Sequence, residues 1–265
     1  MSVPGNTPTR KPRLLVGVTG SVAAVKWETL CCALQPFFDL RVILTEHAGR
    51  FQPEAYAAEA HAAWEGLLAS QGSSLGSASS GGSSTSSSAN TTTGSDLGLS
   101  GLPPAGTPLA VLRDADEWRG YSRVGQDPVV HIELRKWADG LVVAPCSANS
   151  LAKLAGGLAD NLLTCTARAW EFGEGGRVLK PLLLAPAMNT AMWAHPVTAT
   201  HLAVLAGWGC TLLPPVDKVL ACGDRGVGAM ALVQDIVAAC RAAVLAPPGA
   251  AAGREEAQAP EEGEE

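Results

Sequence analysis

The sequence predicts an α/β protein: a doubly wound parallel sheet in a three-layer α/β/α sandwich. Short apolar runs alternate with helical segments along most of the 265 residues. Runs such as RLLVGV and GLVVAP are apolar at every position rather than at alternate positions, which is typical of strands covered by helices on both faces. Hydrophobic residues make up 47% of the chain, so a large core can form.

Each element follows from a local pattern of apolar residues between turn-forming residues. The predicted strands are 13–18, 40–46, 108–114 (an edge strand), 140–145, 180–187 and 211–215. The predicted helices are 22–34, a segment after the second strand through Ala60, 129–139, 147–170 with a break at Gly156–Gly157, 198–206 and 230–244. Residues 220–231, with three glycines around Asp224, are predicted to form a loop.

The composition changes sharply inside this pattern, and again at the carboxyl end. Residues from about 70 to 106 are mostly Ser, Gly, Thr and Ala, which cannot bury enough apolar surface to offset the entropy of ordering. We therefore expect one domain over 13–245 with a disordered insertion at about 70–106. A flexible amino-terminal segment (1–12) and an acidic, disordered tail (246–265) are expected to flank it.

Charge and cysteine content exclude several classes of protein. The net charge is −6, and six glutamates against one arginine lie in residues 254–265, so the remainder is nearly neutral and nucleic acid is not an expected partner. No apolar run is long enough for a membrane span, and the amino terminus lacks a signal-peptide core. Seven cysteines without a C-x-x-C pair favour free thiols in the cytoplasm, not disulfides or a metal site.

The candidate site lies where strands end, because ligands of such sheets bind beyond the carboxyl ends of the strands. Four strand ends carry unusual residues, namely Thr19–Val22, Thr45–Glu46, Pro145–Asn149 and Pro186–Asn189. The small-residue turn at Thr19–Val22 opens a helix, so it could bind a phosphate or be an ordinary turn. It matches neither G-x-G-x-x-G nor the P-loop, which disfavours a dinucleotide or a nucleoside triphosphate.

Four side chains have both a structural and a functional interpretation. Ser147 could cap a helix or, with the nearby Asn149, bind the polar edge of a flat ring. Asn189 could cap the next helix or orient a substrate carboxylate. His131, near a helix start, could be a neutral base or a structural residue. Cys222, in the glycine-rich segment, could be a proton donor or nucleophile. Alternatively, it has no role and is present by chance, since the chain has seven cysteines.

Taken together, four segments resemble the flavin-dependent cysteine decarboxylases, and most nearly the plant and animal type that acts on phosphopantothenoylcysteine. The segments are HIELRKWAD, LVVAPCSANSLAKLAGGLADNLLTCTARAW, KPLLLAPAMNTAMW and LACGDRGVGAMA. The resemblance covers about 13–60 and 108–240. It implies a flavodoxin-like fold, bound FMN, and a homotrimer with active sites at subunit interfaces. It also implies decarboxylation of the small molecule 4'-phosphopantothenoylcysteine to 4'-phosphopantetheine in coenzyme A biosynthesis.

The resemblance also implies roles for individual residues. His131 matches the catalytic base, and Cys222 the proton donor of the final reduction. Asn189 matches the carboxylate-binding asparagine. Other substrate-side positions are Met192, Ala221 and Met230. Where this chain has Val219, the family commonly has a basic residue, and the adjacent Lys218 could substitute for it. The implied FMN-binding positions are Gly20, Ser21, Val22, Thr45, Glu46, Ser147, Ala148, Asn149 and Ala187.

Three alternatives stay open at this point. Some relatives inhibit a protein phosphatase as non-catalytic subunits, and those of fungi carry acidic tails, as this chain does. A related decarboxylase acts on the carboxyl-terminal cysteine of peptides and shares the same chemistry. A flavin prenyltransferase is the third alternative, but it would not need Cys222.

Overall fold

Six parallel strands form the central sheet of the computed structural model, which describes residues 10–51, 53, 57–73, 109–219, 223 and 225–245. Their order across the sheet is β3-β2-β1-β4-β5-β6. Every neighbouring pair is parallel, with β1 between β2 and β4. The strands are β1 (Arg13–Val18), β2 (Asp39–Leu44), β3 (Leu109–Arg113), β4 (Gly140–Cys146), β5 (Leu182–Pro186) and β6 (Thr211–Leu212).

Helices cover both faces of the sheet. Alternate strand residues point to opposite faces and pack into two separate apolar cores. The helices are α1 (Trp27–Leu34), α2 (Ala58–Ser73), α3 (Val130–Trp137), α4 (Ala148–Gly156), α5 (Leu162–Arg168), α6 (Thr190–Ala194), α7 (Pro196–Gly207) and α8 (Val233–Val244). One core joins the sheet to α1, α2 and α8, and the other joins it to α3, α4, α5 and α7. This is the predicted three-layer sandwich with flavodoxin-like topology.

The strand order fixes where a ligand can bind. The chain goes outward from β1 to β2 and β3, and then returns to the other side of β1 to form β4. Loops that leave the carboxyl ends of β1 and β4 therefore run in opposite directions and leave a crevice between them.

Most predicted elements are confirmed within one to three residues, including the edge position of β3. The helix expected directly after β2 is wrong: a short 3-10 turn, Ala48–Arg50, follows the strand, and α2 starts only at Ala58. That helix continues to Ser73, into the first residues of the expected insertion, whereas 74–108 lie outside the described residues. The expected tail 246–265 also lies outside them.

A β-hairpin replaces the loop expected over 220–231. Its strands, β7 (Val216–Val219) and β8 (Arg225–Ala229), pair antiparallel and stand apart from the main sheet. Glycines at 226 and 228 hid the strand from sequence inspection, because glycine weakens a strand pattern and usually marks a turn. Residues 220–222 and 224, at the end of the hairpin, lie outside the described residues.

The chain is tied to the sheet before the first strand begins. Both terminal nitrogens of Arg10 contact the carboxylate of Asp139 at 2.6 Å, and the backbone N–H of Arg13 donates to the same carboxylate at 2.8 Å. The part of the chain that is fixed to the core therefore includes residues 10–12, which were assigned to the flexible segment. Among the described helices, none is both long and apolar enough to cross a bilayer.

Candidate active site

A cleft of about 650 Å³ opens at the carboxyl ends of β1, β4 and β5, on the crevice that the strand order creates. Its volume is in the range of small-molecule and cofactor sites. Its walls are Gly20, Ser21, Val22, Ala23, Val25, Lys26, Phe51, Ser147, Ala148, Asn149, Ala187, Met188, Asn189, Met192, Lys218, Val219, Gly228, Ala229 and Met230. Three of the four strand ends singled out in the sequence thus meet in one place.

The turn after β1 forms one wall and is fixed to the end of β4. Thr19 is fully buried, and its hydroxyl donates to the carbonyl of Pro145 at 2.8 Å while accepting the N–H of Ser147 at 2.8 Å. The side chain of Ser21 then caps the 3-10 turn Val22–Lys26, which leads into α1. No local pattern predicts this role of Thr19, because the contact spans more than a hundred residues.

Gly20 is required by close packing. A Cβ atom at this position would lie 2.5 Å from Cβ of His47, so any larger residue would push the turn away from the loop after β2. Gly20, Ser21 and Val22 line the cleft where this turn opens a helical segment, and such a position is typical of anion-binding turns.

The end of β4 supplies the opposite wall. The hydroxyl of Ser147 accepts the N–H of Ser150 at 3.2 Å and so caps α4, as its structural interpretation predicted. Ser147 also lines the cleft with Ala148 and Asn149, and the binding of a flat ring by this loop stays a prediction. The neighbouring Cys146 is fully buried, and burial raises the pKa of its thiol to about 12. Cys146 is therefore a packing residue, not a nucleophile.

Asn189 combines two functions at the end of β5. Its Oδ1 accepts the N–H of Ala191 at 2.8 Å and caps α6, while the residue also lines the cleft. The amide nitrogen is the kind of donor that a carboxylate binds. Met192, one turn later, is 50% exposed and lies at the rim of the cleft.

The hairpin forms the third wall. The N–H of Met188 donates to the carbonyl of Gly228 at 2.9 Å, which attaches β8 to the segment after β5. Lys218 and the exposed Val219 project from β7, and the buried Met230 follows β8. Ala221, assigned to the substrate side, and Cys222, assigned as the catalytic proton donor, lie outside the described residues, between the two strands of this hairpin.

Two residues assigned to the cofactor are not in the walls of the cleft. The hydroxyl of Thr45 is buried and donates to the carbonyl of Val18 at 3.2 Å, so it joins β2 to β1. Glu46 is exposed and forms an ion pair with Arg50 at 3.1 Å. The loop after β2 instead contributes Phe51, which the sequence did not single out because it carries no polar group.

His131 also lies away from the cleft walls, but it has a defined partner. It occupies the second residue of α3, and its Nδ1 is 2.5 Å from Oε1 of Glu117, a carboxylate that is 6% exposed. Glu117 belongs to the 3-10 turn Asp114–Trp118, which follows β3. Sequence inspection missed Glu117, since it stands among three other acidic or aromatic residues in DADEW.

The described walls of the cleft carry amide, hydroxyl and ammonium groups and no His, Cys, Asp or Glu. Within the described ranges, no cluster of three or more His, Cys, Asp or Glu side chains could hold a metal ion. A small-residue turn that opens a helical segment, a polar loop and an apolar floor at the switch point of a parallel sheet suit a flat ring that carries a phosphate. Fold and site together therefore define the nucleotide-cofactor class of flavodoxin-like α/β proteins.

The protein-family model described as Flavoprotein matches residues 2–245. Curated relatives include the phosphopantothenoylcysteine decarboxylases of Arabidopsis thaliana, 41% identical over 85% of this chain and 82% of that protein, and of Mus musculus, 40% identical over 88% and 87%. The chain belongs to this flavoprotein family, in the group of the phosphopantothenoylcysteine decarboxylases.

Solved structures show the same relationship. A PPC decarboxylase mutant complexed with pantothenoylaminoethenethiol is 38% identical to this chain and superposes with a TM-score of 0.64. The match covers 88% of this chain and 97% of the mutant's chain. The FMN binding protein AtHal3 is 39% identical over 88% of this chain and 96% of its own, with a TM-score of 0.61. The resemblance stated from the sequence motifs is thereby confirmed.

Proposed function

We propose that this chain is an FMN-dependent carboxy-lyase that converts 4'-phosphopantothenoylcysteine to 4'-phosphopantetheine in coenzyme A biosynthesis. One observation carries the proposal. The loops 20–22, 147–149 and 187–192, which bear the family motifs, meet in a single cleft of cofactor size. They do so in a chain about 40% identical to decarboxylases of this substrate over most of both lengths.

The residues of the cleft fit FMN. The turn after β1 presents backbone N–H groups to a phosphate, and the close approach at Gly20 leaves no room for a side chain there. Ser147, Ala148 and Asn149 offer hydroxyl and amide groups to the polar edge of a ring, and Ala187 provides a small apolar floor. When bound, FMN supplies the two-electron redox chemistry that a simple cysteine carboxylate lacks.

The protein then has to bind, orient and protonate. The amide of Asn189 holds the substrate carboxylate, and Met192 covers it from the rim. Lys218, on the exposed face of β7, attracts the substrate phosphate. It replaces the basic residue that the family commonly has at the position of Val219. Cys222 donates the proton of the final reduction. The Lys218 assignment is supported by the hairpin β7–β8, which reaches the cleft through Gly228 and Met230. The Cys222 assignment is supported by the family motif LACGDRGVGAMA.

His131 acts as the base, and it serves the cleft of another copy of the chain. A base has to come within hydrogen-bond reach of the proton that it removes. His131 does not line the cleft of its own chain, yet it lies partly exposed on the same molecule. A cyclic homotrimer with heterologous contacts brings such a residue to the next subunit's cleft.

Mixing two inactive variants tests this arrangement. His131→Asn and Asn189→Ala each remove one half of the site and should abolish turnover alone while FMN absorbance is retained. After unfolding, mixing and refolding together, about a quarter of the sites in randomly mixed trimers combine an intact cleft with an intact histidine. Activity should then return to roughly that fraction. Failure to recover activity in a refolded mixed trimer would place both residues in one chain.

The decisive experiment for the function uses the purified full-length chain with FMN. Phosphopantothenoylcysteine should release CO2 and give phosphopantetheine by mass spectrometry. A peptide ending in cysteine serves as the competing substrate, and inhibition of a protein phosphatase as the competing activity. Decarboxylation of the peptide but not of phosphopantothenoylcysteine would refute the proposal in favour of a peptidyl-cysteine decarboxylase. Phosphatase inhibition without CO2 release would refute it in favour of a regulatory subunit. The cytoplasmic location predicted from the cysteines is proposed as well, and cell fractionation with an antibody tests it.

A further inference from the structure

The imidazole of His131 is in contact with the buried carboxylate of Glu117. Oε1 of Glu117 lies 2.5 Å from Nδ1 of His131, and the Glu117 side chain is 6% exposed. Its second oxygen, Oε2, is buried and has no hydrogen-bond partner among the described residues. A carboxylate removed from water needs a charged or hydrogen-bonding partner. The histidine is the partner that the fold provides.

The turn that carries Glu117 is anchored from three directions. The carboxylate of Asp114 accepts the N–H of Leu162 at 3.1 Å and the N–H of Glu46 at 3.3 Å. The carboxylate of Asp116 accepts the N–H of Arg113 at 2.7 Å. The turn is therefore fastened to the start of α5 and to the loop after β2. Glu117 is held in place before any substrate binds.

We propose that Glu117 is a positioning residue that selects the tautomer and orientation of His131 for decarboxylation, an inference that rests on the proposed function. An N–H on Nδ1 donates to the carboxylate, which leaves Nε2 without a proton and able to accept one. When Nε2 takes a proton from the substrate, the imidazolium that forms gains a charge-assisted hydrogen bond to Glu117. A buried acid behind a histidine performs the same task in hydrolase triads.

Other titratable groups near the pair do not compete for this role. Asp114 and Asp116 are occupied with backbone N–H groups, as described above, and Asp116 also pairs with Arg119 at 3.1 Å. Cys165 on α5 faces the turn, and burial, followed by the carboxylates around it with Glu117 foremost, raises the pKa of its thiol. Cys165 therefore stays neutral near pH 7, and the carboxyl group in contact with the imidazole is that of Glu117.

The test is Glu117→Gln in the full-length holoenzyme. Glutamine keeps the shape and can still accept from Nδ1, but it removes the charge that stabilises the imidazolium. We expect kcat for phosphopantothenoylcysteine to fall about 100-fold, with little change in KM, thermal midpoint or FMN absorbance. The acid limb of the pH–rate profile should move to lower pH, because the imidazolium is less stable beside a neutral amide.

A double variant separates positioning from packing. In the His131→Asn background, Glu117→Gln should change neither the thermal midpoint nor any trace of turnover that remains, since the two residues act as one unit. Glu133→Gln is the matched control: this acid lies on the same helix, forms an ion pair with Lys136 at 2.9 Å, and should keep the wild-type rate and pH profile.

Two outcomes would overturn the inference. One is a Glu117→Gln enzyme with the wild-type kcat and acid limb. The other is a loss of rate that follows a loss of thermal stability while the acid limb stays unchanged. The histidine tautomer gives a readout that needs no substrate: nitrogen-15 NMR should show a proton on Nδ1 of His131 in the wild type and a mixed population in the variant. If the wild type fails to release CO2, the proposed function fails, and the NMR result still decides the pairing.

Discussion

Replacing Gly228 by alanine should detach the hairpin β7–β8 from the cleft. A Cβ atom at Gly228 would lie 2.3 Å from the carbonyl oxygen of Met188. Because the colliding oxygen belongs to the backbone, no side-chain rotation can relieve the collision. The φ angle of Gly228 is +154°, in a region that residues with a side chain rarely adopt. The same residue accepts the N–H of Met188, so the collision falls on the contact that holds the hairpin.

The magnitude follows from the two penalties. Overpacking against a fixed atom costs at least about 1 kcal/mol, and a strained backbone conformation costs at least about 1 kcal/mol more. About 2 kcal/mol corresponds to a shift of roughly 30-fold in the equilibrium between attached and detached hairpin. Because Lys218 and Met230 move with the hairpin, we expect kcat/KM to fall, and about 30-fold is the upper limit, reached when the detached form predominates. The core should remain folded, since β7 and β8 do not pair with the main sheet.

Steady-state kinetics with phosphopantothenoylcysteine measure the effect, and FMN fluorescence measures whether the cofactor is retained. Gly66→Ala is the control, because no atom lies within 4 Å of a Cβ at this position in α2. It should leave kcat/KM unchanged and favour the helix slightly. A Gly228→Ala enzyme with the kinetic constants of the wild type would show that the cleft does not depend on this contact.

Ser147→Ala removes the cap of α4 and should lower the free energy of unfolding by about 1 kcal/mol in urea titrations; an unchanged midpoint would argue against the cap. Burial by itself would raise the pKa of Asp139, but hydrogen bonds from Arg10 and the Arg13 N–H lower that pKa below its ordinary value. Asp139→Asn should therefore cost about 0.5 kcal/mol at pH 7, and the gap should close as the pH falls through the lowered pKa of Asp139. Leu163→Ala, at a position 1% exposed, should cost about 2–5 kcal/mol in the same titration. A smaller loss would mean that its core refills.

The positions of the elements could be predicted because their signals are local. A strand such as β4 is apolar at every residue, and the break between α4 and α5 is marked by adjacent glycines, with Gly157 at a φ of +73°. The strand ends could be found for the same reason, since Gly20, Ser147 and Asn189 stand where an apolar run stops. The parallel sheet then requires those ends to share one edge.

Other features depend on contacts that the sequence does not display. The pairing of Glu117 with His131, the Thr19 bridge between two loops, and the attachment of Gly228 to Met188 all join segments through the fold. The helix predicted after β2 was wrong although its residues have helix-forming composition, because the chain there forms the turn Ala48–Arg50, which buries Ala48 in the core. Thr45 stands at a strand end, yet its side chain bonds back to β1 instead of facing the cleft.

Local sequence patterns account for the alternation of strands and helices, and with it for the edge on which a ligand could bind. These properties follow from the spacing of apolar residues and from the backbone preferences of a few glycines and prolines. Long-range contacts in the folded chain account for which strand ends form the cleft, for the position of His131 outside it, and for the acid that contacts that histidine. Such contacts arise from close packing and from the need to satisfy buried polar groups, and both conditions act between residues that are far apart along the chain.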